Sequence, residues 1–194
     1  CGSCGFSIIA LILISVVCCF GVLLVMEDSA PQPLIPNFTP QPIMADAFDT
    51  KIEEAASSAS STGAFDFRTT EFETSSWLNL NAERFTEMTV PVENIQVLFR
   101  NGIIQVYGEV DAGGFSNVPT LLEVNVTRTE NGQLSVDVRD TNVGGFGLPG
   151  FMIDEIRQQV RDAIDDQLEK ISGNYFVEGL FIGDGIFSIQ GRVQ

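Results

Sequence analysis

Any chemistry in this chain must be built from carboxylates, hydroxyls and a few basic groups, because its 194 residues include no histidine. Without imidazole there is no Ser-His or Cys-His activation of a nucleophile and no histidine ligand for a metal. The four cysteines, Cys1, Cys4, Cys18 and Cys19, all precede residue 20, so the remainder holds no thiolate nucleophile, thiolate ligand or disulfide. Three acidic pairs survive as candidates: Glu71 with Glu73, Asp154 with Glu155, and Asp165 with Asp166. The first two lie near expected helix starts, where carboxylates complement the macrodipole, and the third falls on an expected solvated helix face. Glycosidase-type carboxylates must flank a cleft about 5 to 10 Å apart, which neighbouring surface residues do not provide. The only lysines are Lys51 and Lys170, and neither closes a Ser-x-x-Lys motif. Asp140-Thr141-Asn142-Val143-Gly144 opens like a calcium loop but lacks the closing Glu. The expectation is a non-enzymatic protein with no catalytic residues, no cofactor and no metal.

The elements that would carry any other activity begin with the uncharged run Gly5–Met26. At ~1.5 Å per residue a helix of that length crosses the ~30 Å hydrocarbon core of a bilayer, so residues 1–26 read as a transmembrane anchor. Cys1 and Cys4 then sit at the membrane edge, either as ordinary thiols of a trimmed end or as lipidation sites. Residues 27–68 read as a stalk and linker. Pro31, Pro33, Pro36, Pro40 and Pro42 favour extended polyproline geometry, and the Ala/Ser-rich stretch from Ala55 to Ala64 suits a flexible tether. A formal charge of −16 excludes a nucleic-acid partner, since phosphate binding needs a basic face.

From Thr69 onward, alternating apolar and polar residues are punctuated by Asn-Gly and Asp-Gly, which predicts three hairpins with one face buried and one wet. Ile95, Val97 and Phe99 face Ile104, Val106 and Val110 across Asn101-Gly102. Leu122, Val124 and Val126 face Leu134, Val136 and Val138 across Asn131-Gly132. Leu180 and Ile182 face Phe187, Ile189 and Val193 across Asp184-Gly185. The segments Asn101–Val110 and Asp184–Val193 are similar to one another, either as an internal repeat or because hairpins of this kind share a pattern. An apolar stripe of Ile153, Ile156, Val160, Ile164, Leu168 and Ile171 predicts a long helix over 150–172. Thr70 with Glu73 predicts a capping box for a short helix through Trp77 and Leu80. The expected architecture is α+β: an N-terminal transmembrane helix, a Pro-rich stalk, and an extracytoplasmic domain over 69–194. In that domain a curved antiparallel sheet of about six strands packs on one long amphipathic helix plus a short one.

The Thr-Glu-x-Glu helix with Asn79, the Arg100-Asn-Gly-Ile-Ile-Gln-Val-Tyr-Gly segment, the Gly-x-x-Gly-Leu-Pro helix entry and the closing Gly-Ile-x-x-Ile-x-Gly strand together resemble the YpmS-like family. These are single-pass, membrane-anchored bacterial proteins of uncharacterised function. The pattern also resembles the tubular lipid-binding (TULIP-like) class, which implies an apolar groove between sheet and helix. Leu98, Ile103, Tyr107, Phe146, Leu148, Phe151, Met152 and Phe181 are apolar residues beyond those assigned to the buried face. They are the candidates for such a groove or for an interface, the alternative being ordinary core. The leading expectation is a domain outside the cytoplasm, at the cell membrane, that binds a membrane lipid or other apolar ligand. The alternative is a structural or accessory subunit of a membrane complex or surface assembly, including a pilin-like filament. There the partners are other membrane proteins or further copies associating through the anchor, whose Gly5, Ser7, Ala10, Ser15 and Gly21 would permit close approach.

Overall fold

The computed structural model describes residues 30–82, 92–112, 115–144, 146–147 and 175–193. The expected anchor at 1–26 and long helix at 150–172 lie outside these residues. Among the described residues no helix is long and apolar enough to cross a membrane. The order is α1 (Pro42–Thr62), β1 (Ala64–Thr70), α2 (Glu71–Leu80), β2 (Val92–Arg100), β3 (Ile103–Ala112), β4 (Phe115–Arg128), β5 (Leu134–Val143), β6 (Phe146–Gly147), β7 (Tyr175–Gly183) and β8 (Ile186–Val193).

The expectation of one curved sheet of six strands is overturned. The described residues are mostly strand, in two antiparallel sheets: a meander β2-β3-β4-β5-β6, and a three-stranded sheet β1-β8-β7. The first and third hairpins therefore belong to different sheets. Strict alternation says that one face of each hairpin is buried, but it is silent on whether two hairpins pair at their edges or face each other across a core.

The stalk is the second correction, because most of residues 42–70 fold into the domain as α1 and β1. Pro42 occupies the first turn of α1, where its missing N–H costs nothing. Ala45, Phe48 and Ala55 are buried, with Ile52 packed partly against them, so an apolar stripe at spacings of three and four anchors a helix that composition alone reads as a tether. In the Ser-rich half, Ser60, Ser61 and Thr62 donate back to the carbonyls of Ala56, Ser57 and Ser58 at 2.8 to 2.9 Å, which satisfies hydroxyls within the helix. Gly63, at φ 73°, ends α1 in a left-handed C-cap with its N–H donating to Ala59 O.

One core serves both sheets and both helices. A chain of rings runs from Trp77 to Phe48 (4.9 Å between centroids), Phe48 to Phe67 (5.6 Å, edge-on), Phe67 to Phe187 (6.5 Å) and Phe187 to Phe99 (5.7 Å). It thus links α2, α1, β1, β8 and β2 in turn. The aliphatic remainder comes from the predicted inward positions: Ile95, Val97, Ile104, Val106, Leu122, Val124, Val126, Val136 and Val138.

Phe48 has no exposed surface and touches rings on both neighbours, so Phe48→Ala leaves a cavity and is expected to destabilise the chain by about 3–5 kcal/mol. Ile43→Ala, on the same helix but 72% exposed, is expected to stay within about 0.5 kcal/mol. Denaturant unfolding of the two variants separates a packed helix from a tether, for which both changes would be silent.

Candidate functional site

Strand β2 is an edge of the five-stranded sheet, and α2 lies along that edge. Side chains four residues apart on α2 meet alternate residues of β2. Glu71 Oε1 accepts from Phe99 N at 2.7 Å, Ser75 Oγ accepts from Val97 N at 2.8 Å, and Asn79 Oδ1 accepts from Ile95 N at 3.1 Å. Asn79 Nδ2 returns a bond to Ile95 O at 2.5 Å, and Ser75 Oγ lies 3.5 Å from Val97 O. A polar stripe of the helix thus takes the place of a sixth strand, leaving no open edge there.

The start of α2 is held by charge and capping. The predicted capping box forms, with Glu73 N donating to Thr70 Oγ1 at 3.3 Å and Thr70 N to Glu73 Oε2 at 2.9 Å. Lys51 Nζ of α1 donates to both Glu73 oxygens at 2.7 Å. Burial pushes the Glu73 carboxyl up, but the bonds and charge of Lys51 and the bonds from Thr70 outweigh it and hold the group below the usual carboxylate range. The Arg100 guanidinium pairs with buried Glu71, its Nη2 lying 3.1 Å from Oε2.

Next to this pair the tips of two hairpins dock on each other. Gly102 N donates to Ile182 O at 2.8 Å, and Gly185 N donates to Phe99 O at 3.2 Å. Asn101, Gly102, Asp184 and Gly185 all have positive φ (52°, 82°, 52° and 76°), the conformation of a two-residue type I′ turn that Asn-Gly and Asp-Gly favour.

The face of β2–β3–β4 opposite the core carries a second apolar group. Leu98 is cross-strand from Gln105, with Ile103 and Tyr107 as its diagonal neighbours, and Tyr107 is paired with Leu121 of β4. Leu98 and Tyr107 are buried, while Ile103 and Leu121 are half-buried. Ile35 N donates to Gln96 Oε1 at 2.7 Å, so the chain before α1 meets this face at β2, and Pro31 within it is buried. Further across the sheet the same face becomes wet, with Ser135, Asp137 and Arg139 of β5 exposed. Burial, and then the charge and hydrogen-bond acceptance of Glu109, raise the Tyr107 phenol to about 12. Burial also pushes the Tyr175 phenol up.

The eight candidate groove residues thus separate. Leu98, Ile103 and Tyr107 come together, whereas Phe181 lies on the other sheet and is 52% exposed. Phe146 is in β6, paired with Val143. Leu148, Phe151, Met152, Cys1 and Cys4 lie outside the described residues. No group of three acidic residues or cysteines that could hold a metal occurs among the described residues. An open depression of about 520 Å³ on α1 is lined by Glu53, Glu54, Ser57, Ser58 and Ser61, a composition unsuited to an acyl chain. The edge-covering role of Glu71, Ser75 and Asn79 goes unseen in the sequence, where Glu71 reads as a macrodipole carboxylate. Its trace there is a polar side chain every fourth residue on a helix that also buries Trp77 and Leu78.

No family model, curated protein or solved structure matches this chain.

Two measurements follow from this geometry. Ser75→Ala leaves Val97 N–H buried without its acceptor and is expected to cost about 1–3 kcal/mol, against about 0.5 kcal/mol or less for Ser57→Ala on α1. Tyr107 and Tyr175 are the only tyrosines, and both folded-state values are raised. Their contribution to stability is therefore intact below the unfolded value near 10 and is lost as pH climbs above it. Absorbance at 295 nm is expected to stay flat through pH 10 in the folded protein and to rise there once urea unfolds it.

Proposed function

We propose that this protein is a non-enzymatic binding domain held at a membrane, and that the outer face of β2–β4 takes a lipid acyl chain or another apolar ligand. The observation that carries this reading is the apolar strip Leu98, Ile103, Tyr107 and Leu121, which lies on the far side of the sheet from the shared core. A sheet with one core needs only one apolar face; the chain before α1 meets this second face at Gln96, and beside it Ile103 and Leu121 stay half-buried, where an apolar ligand would lie. The uncharged run Gly5–Met26 supports residence at a membrane, and a chain of net charge −16 would sit on such a surface without electrostatic attraction to anionic lipid.

A second reading, a subunit that contacts other proteins, is favoured by a separate observation. Phe72 and Leu80, 46% and 49% exposed, flank Ser76 on one face of α2, and Gln41 N donates to Ser76 Oγ as the chain crosses there. Phe38 lies against Phe72, and Ile43 follows at 72% exposure. This cluster is apolar, solvent-facing and distinct from the strip.

Native mass spectrometry of the full chain, extracted from membranes in mild detergent, distinguishes the two. Lipid adducts that survive activation and disappear in Ile103→Glu with Leu121→Glu support the binding domain. A lipid-free chain overturns it. Co-extraction of other proteins in fixed ratio, abolished by Phe72→Glu with Leu80→Glu, supports the subunit.

A further inference from the structure

Charge is distributed unevenly along this chain. Up to Ala45 the only charged side chains are Glu27 and Asp28, and all the others follow. The uncharged run Gly5–Met26 is thus succeeded, after that pair, by a second uncharged run, Ser29–Ala45. The path of the second run over the domain is fixed at several points. Pro31 is buried, Ile35 N donates to Gln96 Oε1 at 2.7 Å, and the chain then turns, with Phe38 N donating to Ile35 O at 3.2 Å. The Phe38 ring lies 6.1 Å from that of Phe72, and Gln41 N donates to Ser76 Oγ at 3.2 Å just before α1 begins. Phe72, Ser76 and Leu80 follow one another at every fourth position and share a side of α2 other than the one Glu71, Ser75 and Asn79 turn to β2. The exposed apolar cluster Phe38, Ile43, Phe72 and Leu80 is therefore contributed by an uncharged run and an uncharged stripe of the helix.

Chain length ties this cluster to the end of Gly5–Met26. The five residues from Met26 to Pro31 span at most ~18 Å, and from Pro31 onward the chain is laid on the domain. Helix α1 leads away from the cluster. Its charged residues, Asp46, Asp49, Lys51, Glu53 and Glu54, all lie beyond its first turn. Over 21 residues it rises ~31 Å to Gly63, whose carbonyl accepts from Val193 N at 2.8 Å. Val193 is as exposed as Phe72, at 46%, and marks the far end of the helix.

We infer that this cluster is the surface on which the folded domain rests on a lipid bilayer, with Phe38, Ile43, Phe72 and Leu80 entering the interfacial layer. The inference rests on the reading of Gly5–Met26 as a membrane anchor, and it gives to lipid the residues that the subunit reading gives to a protein. A chain of net charge −16 gains no attraction from anionic headgroups, so its contact with a bilayer has to come from apolar surface clear of carboxylates. Four partly exposed side chains would hold a free protein only weakly. A tether of a few residues changes that, because it keeps surface and bilayer at a high effective concentration. The chain supplies no such tether to a partner protein.

Photolabelling of the full wild-type chain in phosphatidylcholine vesicles tests this. A phosphatidylcholine with a diazirine on its acyl chain yields a carbene that inserts into side chains meeting the hydrocarbon, and mass spectrometry of peptides locates the adducts. Adducts are expected on Gly5–Met26 and on the cluster, where labelling is expected to exceed that of Val193 at least about fivefold. Ile43→Asp is expected to lower labelling of Phe72 and Leu80 at least about threefold while Gly5–Met26 is unchanged. Adducts on Gly5–Met26 with the cluster labelled no more than Val193 would overturn the inference and leave the anchor standing, whereas adducts on neither would overturn both. Cluster labelling that falls as protein density in the vesicles rises would place a second copy there and overturn it. Labelling present in vesicles but lost in native membranes would place a partner protein there and overturn it equally.

Discussion

The fold depends on what happens at the edge of β2. A strand there presents alternate N–H and C=O groups outward, and inside a two-sheet core those groups have no water to bind. Four helical residues advance ~6.0 Å and two strand residues ~6.6 Å, so a stripe at every fourth helix position stays in step with alternate strand residues for about three contacts. Glu71, Ser75 and Asn79 use that span in full. The match fixes where α2 sits, and α2 in turn fixes α1. Lys51 pairs with Glu73, and the Trp77 indole N–H donates to Asp49 Oδ1 at 2.7 Å. Thr74, Ser75 and Ser76 have no exposed surface, and their small side chains allow the helix to approach the strand closely enough for side chains to serve as a ladder.

The docked hairpin tips make the second joint, between the sheets rather than within one. Positive φ at both central residues of each turn gives the strands their native twist and also turns a glycine N–H outward, where the other hairpin's carbonyl receives it. Glu71 belongs to this joint as well as to the edge. Its backbone N–H donates to Gly185 O at 3.2 Å while its carboxylate holds Phe99 N and Arg100. One acidic residue thus ties the first turn of α2 to both sheets, and this explains why a carboxylate is buried in a protein that already carries a large excess of negative charge.

How much of this is legible in the sequence depends on whether the information is local. The hairpins are, because Asn101-Gly102 and Asp184-Gly185 specify their turns and alternation specifies the faces. The loop at Asn131-Gly132 is longer than a two-residue turn, with Thr129 N bonded to Gln133 O, but its strands still pair as the alternation implies. The Thr70–Glu73 box is legible for the same reason. The helix α1 is not, since five prolines and a run of Ser and Ala outweigh the stripe Ala45, Phe48, Ile52 and Ala55 in any reading by composition. Division into two sheets is not legible either. It is decided by contacts such as Phe99 with Phe187, far apart in the chain, about which neither alternation nor turn chemistry carries information. Of the apolar candidates, Leu98, Ile103 and Tyr107 share a face because register follows from the Asn101-Gly102 turn, whereas Phe181 parts from them because sheet membership does not.

The proline-rich stretch shows how one composition can serve two opposite structural ends. Prolines disfavour helix, and from Ala30 to Gln41 there is neither helix nor strand, but the chain turns at Ile35–Phe38, where Phe38 N donates to Ile35 O at 3.2 Å and Asn37 has φ 54°. Such a segment can equally well lie flat on a sheet as hold it at a distance. A covering segment cannot add itself to the ladder from above, so each of its own N–H groups is a liability once water is excluded. Proline removes that liability at buried Pro31, and the N–H of half-buried Ile35 is met by Gln96, itself buried on the outer face. Gln96 is a polar residue within a run of buried apolar ones, Ile95 to Phe99. Its presence is explained by the segment it receives, since its side-chain oxygen accepts the Ile35 N–H in the middle of an otherwise apolar buried run.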